Sequence, residues 1–294
     1  MLNGQRIGWA GVGRMGTPLC RRILAAGAAL TVADPNRAAV EAMVARGASA
    51  ADDVAALAGT ADVLCSMVPN DAILLSVARD LAPVLRPGQV FLDLSTVSPD
   101  TSAKVAALLA LTGAAYLRCP VSGSTSTAEA GALTIFASGP TEALDRCAPL
   151  LATLGKETLR FGEGEEARVI KLLVNIVVAI TPAVIGEALA FGGRHGLDWN
   201  TMLDALSRSV VASPLLAYKA DMLRARDWTP AADVDLLSKD LAVALAAGER
   251  AGAPMPFSAL AQQINAAFRA SGEGNLDFFR AATWPERLTT PGPR

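Results

Sequence analysis

Residues 6–16 read RIGWAGVGRMG, a five-residue apolar run followed by Gly11-Val12-Gly13-Arg14-Met15-Gly16. RIGWA has the composition of a buried strand, and the residues after Gly16 carry the apolar spacing of a helix through Leu24. A second strand, LTVAD, ends in Asp34. Strand, glycine turn, helix and strand in that order open a doubly wound α/β sheet. Gly11 permits the tight turn, Gly13 lets the backbone come close to a pyrophosphate, and Gly16 lets the helix pack on the strand. The loop Gly11, Val12, Gly13, Arg14, Met15, Gly16 then leads into a helix whose free amides and dipole suit phosphate. A lone G-x-G-x-x-G is weak evidence, but here strand, helix and a strand-end acid stand in register around it. Asp34 is placed to bond ribose hydroxyls, and its charge repels a 2′-phosphate and favours NAD, while Arg37 three residues on could hold NADP.

Working outward, strand-like segments recur at 62–68 (DVLCSMV), 90–95 (VFLDLS), 114–121 (AAYLRCPV) and 133–139 (LTIFASG), separated by alanine-rich helical runs. The first two extend a parallel sheet. Ligands of such sheets lie beyond the carboxyl ends of strands. The loops MVPN (67–70, with Val68 and Pro69), STVSP (95–99, with Thr96) and PVSGSTS (120–126, with Ser122 and Gly123) fall there. Ser98-Pro99-Asp100 reads as a helix start. The run Ser122–Thr127 offers hydroxyls and amides for a small anion, although an ordinary loop has the same composition. From about Glu165 the pattern becomes helical, with runs near 165–195, 199–207, 213–225, 231–251 and 256–271. The fold class is therefore a Rossmann-type doubly wound sheet domain over 1–163 and an all-α domain over 164–294, with 165–195 as a long connecting helix. That helix is apolar around almost its whole circumference, which marks burial between domains or subunits. Pro182 should kink it.

Bulk composition agrees with two packed domains: 294 residues, 52% hydrophobic and 18% charged. A net charge of −2 leaves no basic footprint for nucleic acid. Cys20, Cys65, Cys119 and Cys147 are scattered, and His195 is the single histidine, so neither zinc spacing nor a redox pair is present. Reduced core thiols and no metal are expected. The N-terminus reaches glycines before a signal-like apolar run forms, and Asn175 and Pro182 interrupt the longest apolar stretch. A cytoplasmic protein without a membrane partner is expected. Trp9, Trp199, Trp228 and Trp284 read as packing anchors, His195 as a helix-terminus group, and the tail LTTPGPR as disordered.

Within the long apolar helix, KLLVN (171–175) sets Lys171 and Asn175 one turn apart on one face. A lysine there can extend its charge into water along a buried stem. If the pair instead faces the ligand crevice, partial desolvation lowers the lysine pKa and gives a general acid/base.

Five motifs now stand in order: GWAGVGRMG (8–16), DLSTVSPDT (93–101), RCPVSGSTSTAEAGALTIFASG (118–139), KLLVN (171–175) and SKDLAVAL (238–245). Together they resemble the β-hydroxyacid dehydrogenases, the group that includes 3-hydroxyisobutyrate and tartronate semialdehyde enzymes. The resemblance implies hydride transfer between NAD or NADP and a small β-hydroxy acid or its semialdehyde. It implies Lys171 as acid/base with Asn175 beside it at the substrate, Ser122 and Gly123 on the substrate's acid group, Thr96 by the nicotinamide, and Lys239 on the cofactor. It also implies a homodimer or homotetramer formed through the helical half. The chain departs from the pattern at Ser124, where relatives commonly have glycine, at Arg118, often acidic, and at Val174, usually asparagine. Arg118 is then either structural or substrate-facing, and the hydroxyls of 124–127 suit a sulfonate or a more hydroxylated acid. An imine reductase of the same architecture is the alternative, although such enzymes typically lack a lysine at position 171. A non-catalytic dinucleotide sensor comes third.

Overall fold

The computed structural model describes residues 1–288. Its first unit, Met1–Lys171, is built on six parallel strands: β1 (Arg6–Ala10), β2 (Ala29–Ala33), β3 (Ser49–Ala50), β4 (Val63–Ser66), β5 (Val90–Asp93) and β6 (Ala115–Arg118). Their order is β3-β2-β1-β4-β5-β6, so the chain reverses direction of travel between β1 and β4. Crossovers run through α1 (Gly16–Ala25), α2 (Arg37–Val44), α3 (Val54–Thr60), α4 (Asp71–Leu81) and α5 (Pro99–Leu109). Side-chain alternation sends Trp9, Val32, Cys65, Leu92 and Leu117 into one core and Leu64, Phe91 and Tyr116 into another. Burial on both faces is why these strands read as continuous apolar runs.

The segment expected as one strand over 114–121 is two. β6 stays in the parallel sheet, whereas β7 (Val121–Ser122) pairs antiparallel with β8 (Leu133–Ala137) in a separate three-stranded sheet. Pro120 stands at the break and has no amide with which to continue the ladder. The third member, β9 (Gly155–Arg160), pairs parallel with β8. Its sequence GKETLR is largely polar and exposed, so it gave no hydrophobic period to read. Helices α6 (Thr125–Glu129) and α7 (Thr141–Leu154) complete this part.

The second unit, over the described residues 172–288, is helical. Its elements are α8 (Glu166–Arg194), α9 (Trp199–Ser207), α10 (Pro214–Ala225), α11 (Val234–Arg250), α12 (Pro256–Ala270), a 3-10 turn at Phe278–Thr283 and α13 (Trp284–Leu288). The division between units falls inside α8, which runs through Pro182 as one element. Asp198, Ser213 and Asp233 cap α9, α10 and α11, and the last of these sets the start of α11 at Val234 rather than near residue 231. Leu203, Leu223, Leu241 and Phe279 form the centre of this unit. Lys219 and Asp277 form a buried ion pair at 2.6 Å.

The four cysteines are free and buried. Trp9 is fully buried with its indole N–H on the Gly11 carbonyl, and the indoles of Trp199 and Trp284 donate to Leu223 and Ala183 carbonyls. His195 lies one residue past α8, its ring 4.6 Å from that of Phe191. The expected disordered tail beyond Leu288 lies outside the described residues.

Candidate active site

The glycine turn closes as its spacing requires. Gly11 has φ +98°, and a Cβ there would collide with the Met67 carbonyl. At Gly16 a Cβ would collide with the Gly11 carbonyl oxygen, so the helix approaches the strand only because that atom is missing. Gly13 differs: a Cβ there would meet nothing within 4 Å. Its backbone is exposed in the loop between β1 and α1, with room beside it that the chain itself does not fill. Met15 caps α1 without any side-chain hydrogen bond and no acid stands in the first turn, although the Thr17 amide is already taken by the Gly13 carbonyl at 2.9 Å.

Asp34 closes this loop from the next strand end. Its carboxylate accepts the Val12 amide at 2.7 Å and the Asn36 amide at 2.7 Å, while Asn36 caps α2. Val68 approaches Gly11 from the loop after β4. Its amide donates to Ser95 Oγ at 2.8 Å, which ties it to the loop that carries Thr96. Thus Gly11, Val12, Asp34, Val68 and Thr96 gather at the carboxyl ends of β1, β2, β4 and β5, while exposed Gly13, Arg14 and Pro69 and half-buried Met15 lie in the same two loops.

Ser122 and Gly123 belong to the smaller sheet and its following turn. Gly123 has φ +144°, and a Cβ there would strike Thr127 and Leu133. Ser124 and Thr127 are engaged in a capping box on α6: the Ser124 amide donates to Thr127 Oγ1, and Thr127 N–H donates to Ser124 Oγ. Those hydroxyls hold the helix start, which corrects their reading as part of an open anion loop. Ser122, half-buried, is outside that box. Arg118 is also settled: its Nε and Nη2 donate to Glu165 Oε1 at 3.0 and 2.6 Å, and its guanidinium lies over the Tyr116 ring. Its charge is used structurally.

Lys171 is half-buried in the second turn of α8. Asn175, one turn on, is 5% exposed, and its Nδ2 donates to Asp240 Oδ2 at 2.8 Å. Lys239 Nζ lies 2.9 Å from the other oxygen of Asp240. Asp240 was not singled out from sequence, although it stands inside SKDLAVAL, and a buried acid beside a lysine on an apolar helix was the available signal. Arg168 was missed as well. It is fully buried and donates to Asp93, Ser95, Ser102 and Tyr116. Burial opposes its charge, but Asp93 and the Tyr116 hydroxyl outweigh it and keep the guanidinium pKa raised.

A dinucleotide turn on a 3-2-1-4-5-6 sheet, followed by a helix that carries lysine and asparagine one turn apart, defines a class: the NAD(P)-dependent oxidoreductases. Residues 6–162 match the NAD binding domain of 6-phosphogluconate dehydrogenase, and residues 165–284 match the NAD-binding region of NADP-dependent 3-hydroxyisobutyrate dehydrogenase. The chain belongs to the β-hydroxyacid dehydrogenase family and is an NAD(P)-dependent dehydrogenase acting on CH–OH groups. It is similar to 2-(hydroxymethyl)glutarate dehydrogenase of Eubacterium barkeri, at 32% identity over 97% of this chain and 96% of the relative. NAD-dependent L-serine dehydrogenase of Pseudomonas aeruginosa is 30% identical over 93% of this chain and 95% of its own. A solved 3-hydroxyisobutyrate dehydrogenase of Mycobacterium tuberculosis with L-serine superposes with TM-score 0.89 at 25% identity, covering 98% of this chain and 100% of the other.

Proposed function

We propose that this protein oxidises the primary alcohol of a small acid of the type HOCH2–CHR–COO⁻, or reduces the matching semialdehyde, with Lys171 as general acid/base and NAD as the preferred cofactor. The observation that carries this reading is the helical pair itself: Lys171 half-buried, and Asn175 buried one turn on and held by Asp240. The two relatives and the bound ligand named above share the motif of a hydroxymethyl group on the carbon that carries a carboxylate. The bound nicotinamide supplies hydride acceptance or donation at its C4. Neutral Lys171 takes the proton of the substrate hydroxyl in oxidation and, as ammonium, returns it in reduction. Asn175 orients the reacting group, Ser122 and the Gly123 backbone hold the carboxylate, and Thr96 borders the nicotinamide. Their contribution is geometric, keeping the reacting carbon at hydride distance. Gly11 to Gly16 hold the pyrophosphate, Val68 and Pro69 border the cofactor, Lys239 contacts it, and Asp34 selects NAD through the ribose hydroxyls.

Assembly as a homodimer or homotetramer is part of the same reading. By length and composition α8 is apolar enough to cross a membrane, and Val169, Leu173, Val177, Val184 and Phe191 along it are more than half exposed. Lys171 and the buried Asn175 on the same helix support a cover of protein rather than lipid.

The test is NAD and NADP reduction, followed by absorbance, against 3-hydroxyisobutyrate, 2-(hydroxymethyl)glutarate, L-serine, glycerate, threonate and a hydroxysulfonate, with Lys171→Ala beside wild type. Turnover of one or more hydroxymethyl acids that collapses in the variant supports the reading. Silence across the panel, with turnover of a cyclic imine instead, overturns it.

A further inference from the structure

Arg168 stands three residues before Lys171, in the first turn of α8, and is 1% exposed. Residues at i and i+3 are neighbours on one helix face, so whatever fixes Arg168 fixes the backbone turn that presents Lys171. Its guanidinium is held on every side. Nη1 donates to the Ser95 carbonyl at 2.7 Å, and Nη2 donates to Asp93 Oδ2 at 2.5 Å and to the Tyr116 hydroxyl at 3.0 Å. Nε donates to Ser102 Oγ at 3.2 Å. The planar fork of arginine can serve these acceptors at once, which a lysine cannot.

The acceptors are not scattered. Asp93 ends β5, and its Oδ1 accepts Ser66 Oγ–H at 2.5 Å and Ser95 Oγ–H at 2.6 Å. Ser95 Oγ in turn accepts the Val68 amide at 2.8 Å, and Ser95 is followed directly by Thr96. One buried network therefore joins Val68 and the backbone before Thr96 to the helix turn before Lys171. A second contact runs the opposite way: Arg118, at the end of β6, grips Glu165 immediately before α8. The helix gives an arginine to one strand end and receives one from the next.

We propose that Arg168 is a positioning residue for the reaction: through Asp93 and Ser95 it sets Lys171 at a fixed spacing from the loops of Val68 and Thr96. Arg168, Asp93, Ser95, Ser102 and Tyr116 are all buried and hydrogen-bonded to one another, so the network behaves as a rigid strut rather than a solvated salt bridge. A misplacement of an acid/base by about 1 Å can cost on the order of 100-fold in rate without any loss of binding. The inference rests on the functional reading of Lys171 given above.

The test uses Arg168→Lys, Tyr116→Phe and Ser102→Ala in the full-length protein, with Lys171→Ala as the control. Melting temperature and NADH binding by fluorescence come first. Turnover of 3-hydroxyisobutyrate deuterated at the carbinol carbon then gives kcat, KM and the primary isotope effect. Independently of turnover, reductive 13C-methylation and NMR titration follow the Lys171 amine, assigned by its loss in Lys171→Arg. The expected result is a folded Arg168→Lys protein with cofactor binding within twofold of wild type. Its kcat falls at least tenfold with little change in KM, its isotope effect grows, and the Lys171 midpoint moves. Tyr116→Phe and Ser102→Ala, which each remove one neutral acceptor of Arg168 together with the 3.0 Å hydrogen bond between the two hydroxyls, shift the same quantities less, and they decide the matter if Arg168→Lys does not fold. Folded variants with unchanged kcat and an unchanged Lys171 titration overturn the strut and leave Arg168 a stabilising residue alone. Full activity of Lys171→Ala would instead overturn the functional reading.

Discussion

Asp240 accepts the Asn175 side-chain amide at 2.8 Å on one carboxylate oxygen and holds Lys239 Nζ 2.9 Å from the other. One buried acid thus sets the amide face of Asn175 and the reach of Lys239, both proposed to touch ligands. Asp240→Asn keeps the shape and one acceptor for the Asn175 amide, but weakens that bond by removing the charge and loses the ion pair with Lys239. It should lower kcat/KM by about 10- to 100-fold, roughly 1.4 to 2.8 kcal/mol of transition-state stabilisation. Asn175→Leu should also cost about 1–3 kcal/mol of stability, because Asp240 is left buried without its donor. Steady-state kinetics with chemical denaturation of each variant separates the two effects.

The glycines of the turn should respond oppositely to the same substitution. Gly13→Ala meets open space, so stability should stay within about 0.5 kcal/mol of wild type, while NADH affinity falls by tenfold or more as the methyl enters the phosphate approach. Gly16→Ala drives its methyl into the Gly11 carbonyl and should destabilise the first unit whether or not cofactor is present. Thermal melts with and without NADH check the contrast. Equal behaviour of the two variants would remove the argument that Gly13 is bare for a ligand.

Asp34 has two amide partners in the chain itself, so its role in cofactor choice must be tested by a substitution that keeps an acceptor. Asp34→Asn removes the charge that repels a 2′-phosphate. The kcat/KM preference for NAD over NADP should fall at least tenfold, chiefly through a lower KM for NADP. An unchanged ratio would move the selectivity to Arg37 or elsewhere.

The glycine turn, the parallel sheet and the helical half were legible because each rests on short-range signals: strand-length apolar runs, glycines at fixed offsets, helix-period runs, and the helix start read at Ser98. What escaped was long-range. Arg168 and Asp93 are 75 residues apart, and Asn175 and Asp240 are 65 apart, so neither partner carries a local mark of the other. β9 escaped because its register is set by β8 and not by any pattern of its own. The serines at 122–127 were read as one loop, yet Ser124 and Thr127 answer to the start of α6.

Along α8 the exposed apolar residues Leu173, Val177, Val184 and Phe191 follow spacings of four and seven, one stripe of a helix. The proposed homo-oligomer predicts that a second copy of the chain covers that stripe. Val177→Glu with Leu173→Glu should shift the protein to monomer in light scattering after size exclusion. A wild type already monomeric at micromolar concentration would sink the idea.

The buried thiols give a pH dependence of definite sign. Burial pushes the Cys147 thiol up to about 11, and Cys20, Cys65 and Cys119 are also raised by burial. In the unfolded chain these thiols ionise near the ordinary value of about 8.5. The folded state therefore holds protons that the unfolded state releases. This contribution is complete below about pH 8 and is lost as pH rises through the folded values, at up to about 1.4 kcal/mol per pH unit for each thiol. Cys147→Ala removes one such group and leaves a small cavity whose cost does not depend on pH. Its deficit against wild type, measured by urea unfolding, should be constant to about pH 8 and shrink between about 9 and 11. Native protein at pH 8 should also resist a thiol-specific chromogenic reagent that labels all four cysteines after unfolding. A deficit constant to pH 11, or rapid labelling of the native protein, would place Cys147 within reach of solvent.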